Sequence, residues 1–382
     1  MNKQKDAGLY RVLPDIGACH EDSTLEMSGQ QQISLCSNDY LGLSLHPALN
    51  PRNIAAWTDL PAGSSGSRLI TGNHPIHRKL EQAIATFLGT EAALLFGSGY
   101  LANVGIISAL MDSHDVIFSD ELNHASIIDG CRLSRAQVRV FAHNDLNQLE
   151  DHLRAANTSA KKLIVVESVY SMDGDSPALP ELIRLKEKYG AILMVDEAHA
   201  LGVRGPSGKG CLWEKNLLSQ TDILIGTFGK AFGSYGAFAA GSSDLVDFLK
   251  NRARSFIFST ALPPLVSAIN LAALPLVRDD EPRRARLWEN VRLFHAILGA
   301  IGFAVPAEAS HIIPLITGDV AITMAMAAQL RQSGIFVQGI RPPTVPPRKS
   351  RIRLTINASL TRQQLEFAGE KFDNVGKSLH LV

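Results

Sequence analysis

Two short segments carry side chains that could do covalent chemistry together. In TDILIGTFGKAFGSYGAF an apolar run ends at Thr227, and Lys230 follows in a glycine-rich turn before a second apolar run. A lysine on a flexible stem in a partly desolvated pocket can lose its proton and form a Schiff base with an aldehyde cofactor. Flanking glycines let such a cofactor approach the backbone. The same segment also reads as a plain turn, because glycines with one lysine are common there. In ILMVDEAHALG a second apolar run ends at Asp196, and His199 lies three residues on, near the carboxyl edge where open α/β sheets keep their sites. An acid there can keep a pyridine ring nitrogen protonated so that the ring acts as an electron sink, or it can simply cap a neighbouring helix. Lys230 and Asp196 reinforce each other, since a pyridine aldehyde needs both an amine and an anion.

Two further segments fit the same cofactor. FGSGYLAN (96–103) is a strand followed by Gly99 and Tyr100 at a helix start, where free N–H groups and the helix dipole favour a phosphate. DELNHASIIDG puts His124 at the start of another helix; its flat ring could stack on the cofactor, or it could be an ordinary polar residue at a helix end. The string VDEAH also imitates the metal-binding strand of a nucleotide-driven motor, but that chemistry needs a phosphate loop. Lys209 in GPSGKGC and Lys230 in GTFGKAFG both lack the first glycine and the following Ser or Thr of GxxxxGK[ST].

The elements that must position these residues read as α/β. From about 75 to 260, short apolar runs alternate with helical-period segments, the pattern of a mainly parallel sheet wrapped by helices. Residues 75–88 put Ile76, Leu80, Ile84 and Phe87 on one face between Pro75 and Gly89, which predicts an amphipathic helix. The runs at 92–96, 115–118, 138–141, 163–168, 191–197, 222–227 and 236–241 predict seven strands of one sheet. After the proline pair at 263–264 the pattern changes to helices near 264–277 and 281–300, then IIPLIT, a helix near 320–333, FVQGI, RIRLTI and a last helix near 361–379. The expected division is an N-terminal segment (1–45), a large cofactor-binding domain (46–265) and a small C-terminal α+β domain (266–382).

Composition narrows the partners. The 37 basic and 37 acidic side chains balance, so nothing favours nucleic acid. Cys19, Cys36, Cys131 and Cys211 form no CxxC pair, which predicts reduced thiols and no metal site. MNKQKDAGLYRVLPDIG has no apolar signal-peptide core, and no stretch reaches the roughly 18–20 apolar residues of a membrane span. The expectation is a cytoplasmic protein without membrane contact.

Taken together, FSDELNHASIIDG, ESVYSMDGDSPAL, MVDEAHALGVRGPSGKG, TFGKAFGSYG and FIFSTALPP resemble the α-oxoamine synthases, fold-type I enzymes dependent on pyridoxal 5′-phosphate. The likeness runs from SNDYLGLSLHP near residue 37 to RIRLTI near 356. It implies that Lys230 carries the cofactor, Asp196 pairs with the pyridinium nitrogen, His199 bonds the ring hydroxyl and His124 stacks on the ring. It further implies that Gly99, Tyr100, Ser171 and Thr227 surround the cofactor, with Ser259 and Thr260 of a second subunit on its phosphate, so that a homodimer shares its sites. GIRPPTVPPRKSRIRLT resembles the branch that joins L-alanine to a pimeloyl thioester with loss of CO2. In that branch Arg353 would hold the amino-acid carboxylate with Asn38 close by, and Arg11 and Thr344 would lie near the acyl group.

Overall fold

A computed structural model of the chain describes residues 9–54 and 59–382, and the chain forms two compact units. The larger, Pro47–Tyr170 with Ser176–Glu281, is organised by one sheet. Its strands are β1 (Ala92–Phe96), β2 (Val116–Asp120), β3 (Gln137–Phe141), β4 (Lys162–Glu167), β5 (Ile192–Asp196), β6 (Ile223–Thr227) and β7 (Ala237–Gly241). All seven runs expected to be strands pair in this sheet, in the order β1-β7-β6-β5-β4-β2-β3. β7 is antiparallel to β1 and β6, and every other pairing is parallel. Every residue of β2 and β4 is buried, as a sheet covered on both faces requires. The parallel register sets Glu167 beside Asp196 and Asp196 beside Ile225, so neighbouring strands end together at the carboxyl edge.

Helix α1 (Pro75–Leu88) begins with proline and ends at Gly89, whose φ of 84° few side chains tolerate. Leu80, Ile84 and Phe87 are buried as the spacing predicts, while Ile76 is half-buried and His77 takes the fourth inward place, with Nε2 2.7 Å from the Leu262 carbonyl. Helix α2 (Gly99–Leu110) is apolar on nearly every face because it is enclosed: Ile106 and Ile107 join Ile117, Leu163, Val165, Met194 and Ile225 in the core. Helix α3 (Ala125–Ser134) packs on α2 at Gly130, where a Cβ would lie 3.0 Å from the Asn103 carbonyl oxygen and 3.1 Å from Ile107 Cδ1. Glycine is what lets the two helices approach this closely. The helix Pro264–Asp279 belongs to this unit as well.

Directly after β5, the side chain of Glu197 is fully buried and accepts the Leu212 amide at 2.9 Å, tying the 206–212 loop to the strand end. Gly210 (φ 94°) closes over it, and a Cβ there would collide with Glu197 Oε2. Burial pushes the Glu197 carboxyl up to about 8.

The smaller unit gathers the chain up to His46, Ser171–Asp175 and Pro282–Val382. Thr24–Met27 and Gln30–Ser34 form a hairpin through Ser28 and Gly29, both with positive φ, and Ile335–Phe336 adds to it in parallel. In a second sheet Ser350–Thr355 lies between Ile312–Gly318 and Gly339–Ile340, with Arg353 opposite Pro314. FVQGI is therefore split: its start serves the first sheet and its end the second, because the chain changes sheets at Val337 and Gln338. Helices Glu281–Ile301, Val320–Gln332 and Arg362–Ser378 occupy the expected stretches, the last opened by a reciprocal cap between Thr361 and Gln364. Among the described residues, no helix is long and apolar enough to cross a membrane.

Two outcomes follow from this packing. Gly130→Val forces α3 off α2 and should lower unfolding free energy by about 1–3 kcal/mol in urea melts; an unchanged midpoint would mean the helices part freely. An acid whose folded pKa lies above its unfolded value keeps its proton only in the folded chain, so stability falls as pH rises from the ordinary carboxyl range toward about 8. Glu197→Gln should remove a downward slope approaching about 1.4 kcal/mol per pH unit across that window. Equal slopes in the two proteins would show that Glu197 is ionised in the folded chain.

Candidate active site

At the carboxyl edge of the large sheet lies a cavity of about 200 Å³. Gly99, Tyr100, His124, Asp196, His199, Thr227 and Lys230 line it, so residues up to 131 positions apart in sequence meet in one place. The sheet does the gathering: Asp196 ends β5, Thr227 ends β6, Gly99 and Tyr100 open α2, and His124 caps α3. Lys230 is set by its own turn. Phe228 and Phe232 on either side are fully buried with rings edge-to-face at 5.4 Å, and the Phe228 and Ser234 amides close the turn on Gly236 and Phe228 carbonyls at 2.9 Å. Two anchored aromatics thus fix the segment that carries the amine.

Both oxygens of Asp196 receive donors. The Ala198 amide meets Oδ1 at 2.9 Å and Asn103 Nδ2 meets Oδ2 at 2.8 Å. Asn103 also donates to Ser126 Oγ at 2.9 Å, and Ser126 Oγ lies 2.8 Å from His124 Nδ1. The His124 amide donates to Glu167 Oε1 at 2.6 Å, holding the helix start against the end of β4. Burial holds the His124 imidazole below its ordinary pKa; the Asp196 carboxylate pulls the other way, and the Lys230 charge adds to the depression. Thr227 lines the cavity with its hydroxyl already engaged, donating to the Gly236 carbonyl at 3.0 Å and accepting the Gly229 amide at 3.1 Å. Tyr100 is half exposed and donates to Asp129 Oδ2 at 2.6 Å, which raises its pKa.

Ser259 and Thr260 do not join this cavity within the chain. They line a separate hollow with Arg68, Gly97 and Ser255.

The remaining predicted residues fall in the smaller unit. Arg353 Nε donates to the Ser171 carbonyl and Nη1 to Asn38 Oδ1 at 3.1 Å. Its Nη2 is buried with no hydrogen-bond partner among the described residues. Arg11 Nη2 donates to Thr344 Oγ1 at 2.9 Å, at the mouth of a hollow of about 440 Å³. Arg331 and Arg341 line the same hollow, and no acidic residue does so among the described residues. Arg341 is buried, donates to the Tyr10 carbonyl at 2.6 Å, and has its pKa lowered by burial and by the Arg11 charge.

Sequence reading singled out none of Asn103, Ser126, Glu167, Ala198 or Arg341. The signals were present in part: Asn103 closes FGSGYLAN and Ser126 stands two residues after His124. Their roles depend on contacts between helices that no spacing rule gives.

The family model for aminotransferase class I and II matches residues 30–372. An 8-amino-7-oxononanoate synthase of Citrifermentans bemidjiense is 47% identical over 378 residues, covering 98% of this chain and 96% of that protein. The structure of a serine palmitoyltransferase from S. paucimobilis with a bound PLP–myriocin aldimine superposes with a TM-score of 0.94 at 31% identity, covering 100% of this chain and 96% of that one. The 8-amino-7-oxononanoate synthase of Francisella tularensis superposes with a TM-score of 0.79 at 29% identity, covering 91% and 99%. With a family model spanning most of its length and a near-full-length relative at this identity, the chain belongs to the aminotransferase class I and II family, in the α-oxoamine synthase branch that holds the 8-amino-7-oxononanoate synthases.

Proposed function

We propose that the chain is a pyridoxal 5′-phosphate enzyme that condenses L-alanine with a pimeloyl thioester, releasing 8-amino-7-oxononanoate, CO2 and the free thiol. The observation that carries this reading is the meeting of Lys230, Asp196, His124 and His199 in one cavity. The residues suit the cofactor. Asp196 has a donor on each oxygen and stays an oriented acceptor for a ring N–H. A Cβ at Gly99 would meet nothing within 4 Å, so a phosphate has room to reach the start of α2.

When bound, the cofactor supplies an electron sink for negative charge at the alanine Cα. Lys230 would hold the cofactor through Nζ, and the same amine would be the base for the alanine Cα proton. Asp196 would keep the ring nitrogen protonated, and His199 would bond the ring hydroxyl. His124, which lines the same cavity, would stack on the cofactor ring and donate from Nε2 to the acyl carbonyl as charge develops there. Arg353 offers Nη2 to the alanine carboxylate, supported by Asn38 and by the Ser171 backbone. Arg11, Arg331, Arg341 and Thr344 would receive the far carboxylate of the pimeloyl chain, a charge favoured by a hollow that cations line and, among the described residues, no acid does. Ser259 and Thr260 act on the phosphate of a second copy, making a homodimer the working unit in the cytoplasm, with no nucleic acid or membrane involved.

The deciding experiment follows thiol release by the reconstituted protein with alanine, glycine and serine against pimeloyl, heptanoyl, acetyl and palmitoyl thioesters, on coenzyme A and on a carrier protein. Alanine with pimeloyl should be fastest, and heptanoyl, which lacks the terminal carboxylate, should be slower by at least about 10-fold. Lys230→Ala should lose on the order of 10³-fold or more and leave no borohydride-trapped cofactor. A preference for serine with palmitoyl would sink the assignment. Arg353→Lys keeps the charge but not the planar fork, so KM for alanine should rise about 10- to 100-fold with kcat less affected; an unchanged KM would remove Arg353 from the alanine site.

A further inference from the structure

Four side chains in the cavity wall form one continuous hydrogen-bonded chain. Asn103 Nδ2 has two protons and two acceptors, Asp196 Oδ2 at 2.8 Å and Ser126 Oγ at 2.9 Å. Turning the amide over would aim its carbonyl oxygen at a carboxylate, so the orientation is determined by the acceptors. Asn103 is buried, and its Oδ1 has no hydrogen-bond partner among the described residues, so nothing on that side competes. Ser126 Oγ accepts from Asn103 and points its single proton at His124 Nδ1, 2.8 Å away. The Ser126 backbone amide, which can only donate, faces the same Nδ1 at 3.3 Å. With two donors directed at it, Nδ1 is the unprotonated nitrogen, and the neutral ring carries its proton on Nε2. The close approach of α3 to α2 at Gly130 places Ser126 within reach of Asn103.

We propose that Asn103 is a positioning residue for the reaction: it aims the Asp196 carboxylate directly, and through Ser126 it locks His124 in the Nε2–H tautomer. One amide thereby ties the anion meant for the cofactor ring to the imidazole meant to lie over that ring. The inference rests on the function proposed above for the roles of Asp196 and His124, but the chain of bonds stands on the fold alone. Ser126 is the intermediate link, and its hydroxyl is the part that matters.

The test uses the holoenzyme labelled with ¹⁵N in its histidine rings, with the His124 resonances assigned by their loss in His124→Gln. The parent protein should show a single Nε2–H tautomer at His124. Asn103→Leu should give mixed tautomers, lower kcat by about 10- to 100-fold with KM for alanine within about twofold, and move the pH midpoint of the cofactor absorbance band. Ser126→Ala should disturb the tautomer while sparing that midpoint, because the Asn103–Asp196 bond survives; Ser126→Thr, which keeps a hydroxyl, should show the parent's single tautomer. If Asn103→Leu melts like the parent and keeps the single tautomer and the midpoint, the proposal is wrong. If Asn103→Leu does not fold, Ser126→Ala decides: a parental tautomer there also overturns it. Failure of the wider functional reading looks different, since the parent protein would then release no thiol while the tautomer measurement stayed interpretable.

Discussion

A carboxylate in a cavity wall is aimed only if donors meet its oxygens, and in this protein that constraint falls on Asp196. One donor, the Ala198 amide, comes from the turn that β5 itself leads into. The other, Asn103, comes from α2, a helix held in place by its apolar contacts with the sheet. The hydrophobic core therefore reaches into the chemistry by a short path: the packing of Ile106 and Ile107 fixes α2 against the sheet, and the first two turns of α2 supply the open backbone at Gly99 and the amide that orients the anion. Lys230 obeys the same logic, with two buried phenylalanines fixing the turn around an amine that would otherwise be free to move.

Asp196 and Glu197 show how local geometry sorts two adjacent acids. Successive residues at a strand end point to opposite sides. Asp196 lines the cavity and takes two donors, whereas Glu197 turns into the protein, takes the Leu212 amide and is pushed toward its protonated form by burial. A binding role suits the first and a structural role the second.

Much of this was legible in the residues. The seven-stranded sheet could be read because each strand is a short apolar run bounded by turn residues, and α1 because proline, period and glycine agree. The hairpin at Thr24–Ser34 was overlooked although Ser28–Gly29 is a two-residue turn signal, because its strands mix polar and apolar residues and cover only one side of a small sheet. FVQGI was read as one run because periodicity cannot show a chain crossing between sheets. In the cavity, Lys230, Asp196, His124 and His199 stood out by type and by position at strand or helix ends. Asn103 and Ser126 did not, since an asparagine in an apolar helix and a serine in a first turn have ordinary local explanations. Only the approach of two helices at Gly130 turns them into a network.

The shared architecture with a serine palmitoyltransferase shows that backbone alone does not choose the acyl group. The hollow at Arg11, Arg331 and Arg341, away from the lysine, has the cationic character that the proposed acyl carboxylate needs. Arg341 is buried against neutral partners, the Tyr10 and Gly339 carbonyls and the Met324 sulfur, and the Arg11 charge depresses its pKa. Such a group is electrostatically incomplete, and an incoming carboxylate relieves both its desolvation and its repulsion with Arg11. A plain alkyl chain would do neither and would leave the guanidinium uncompensated, the circumstance in which a polar site discriminates most strongly. On the function proposed above, selectivity for a dicarboxylate-derived acyl chain would arise at this cationic hollow, on a backbone shared with a serine palmitoyltransferase.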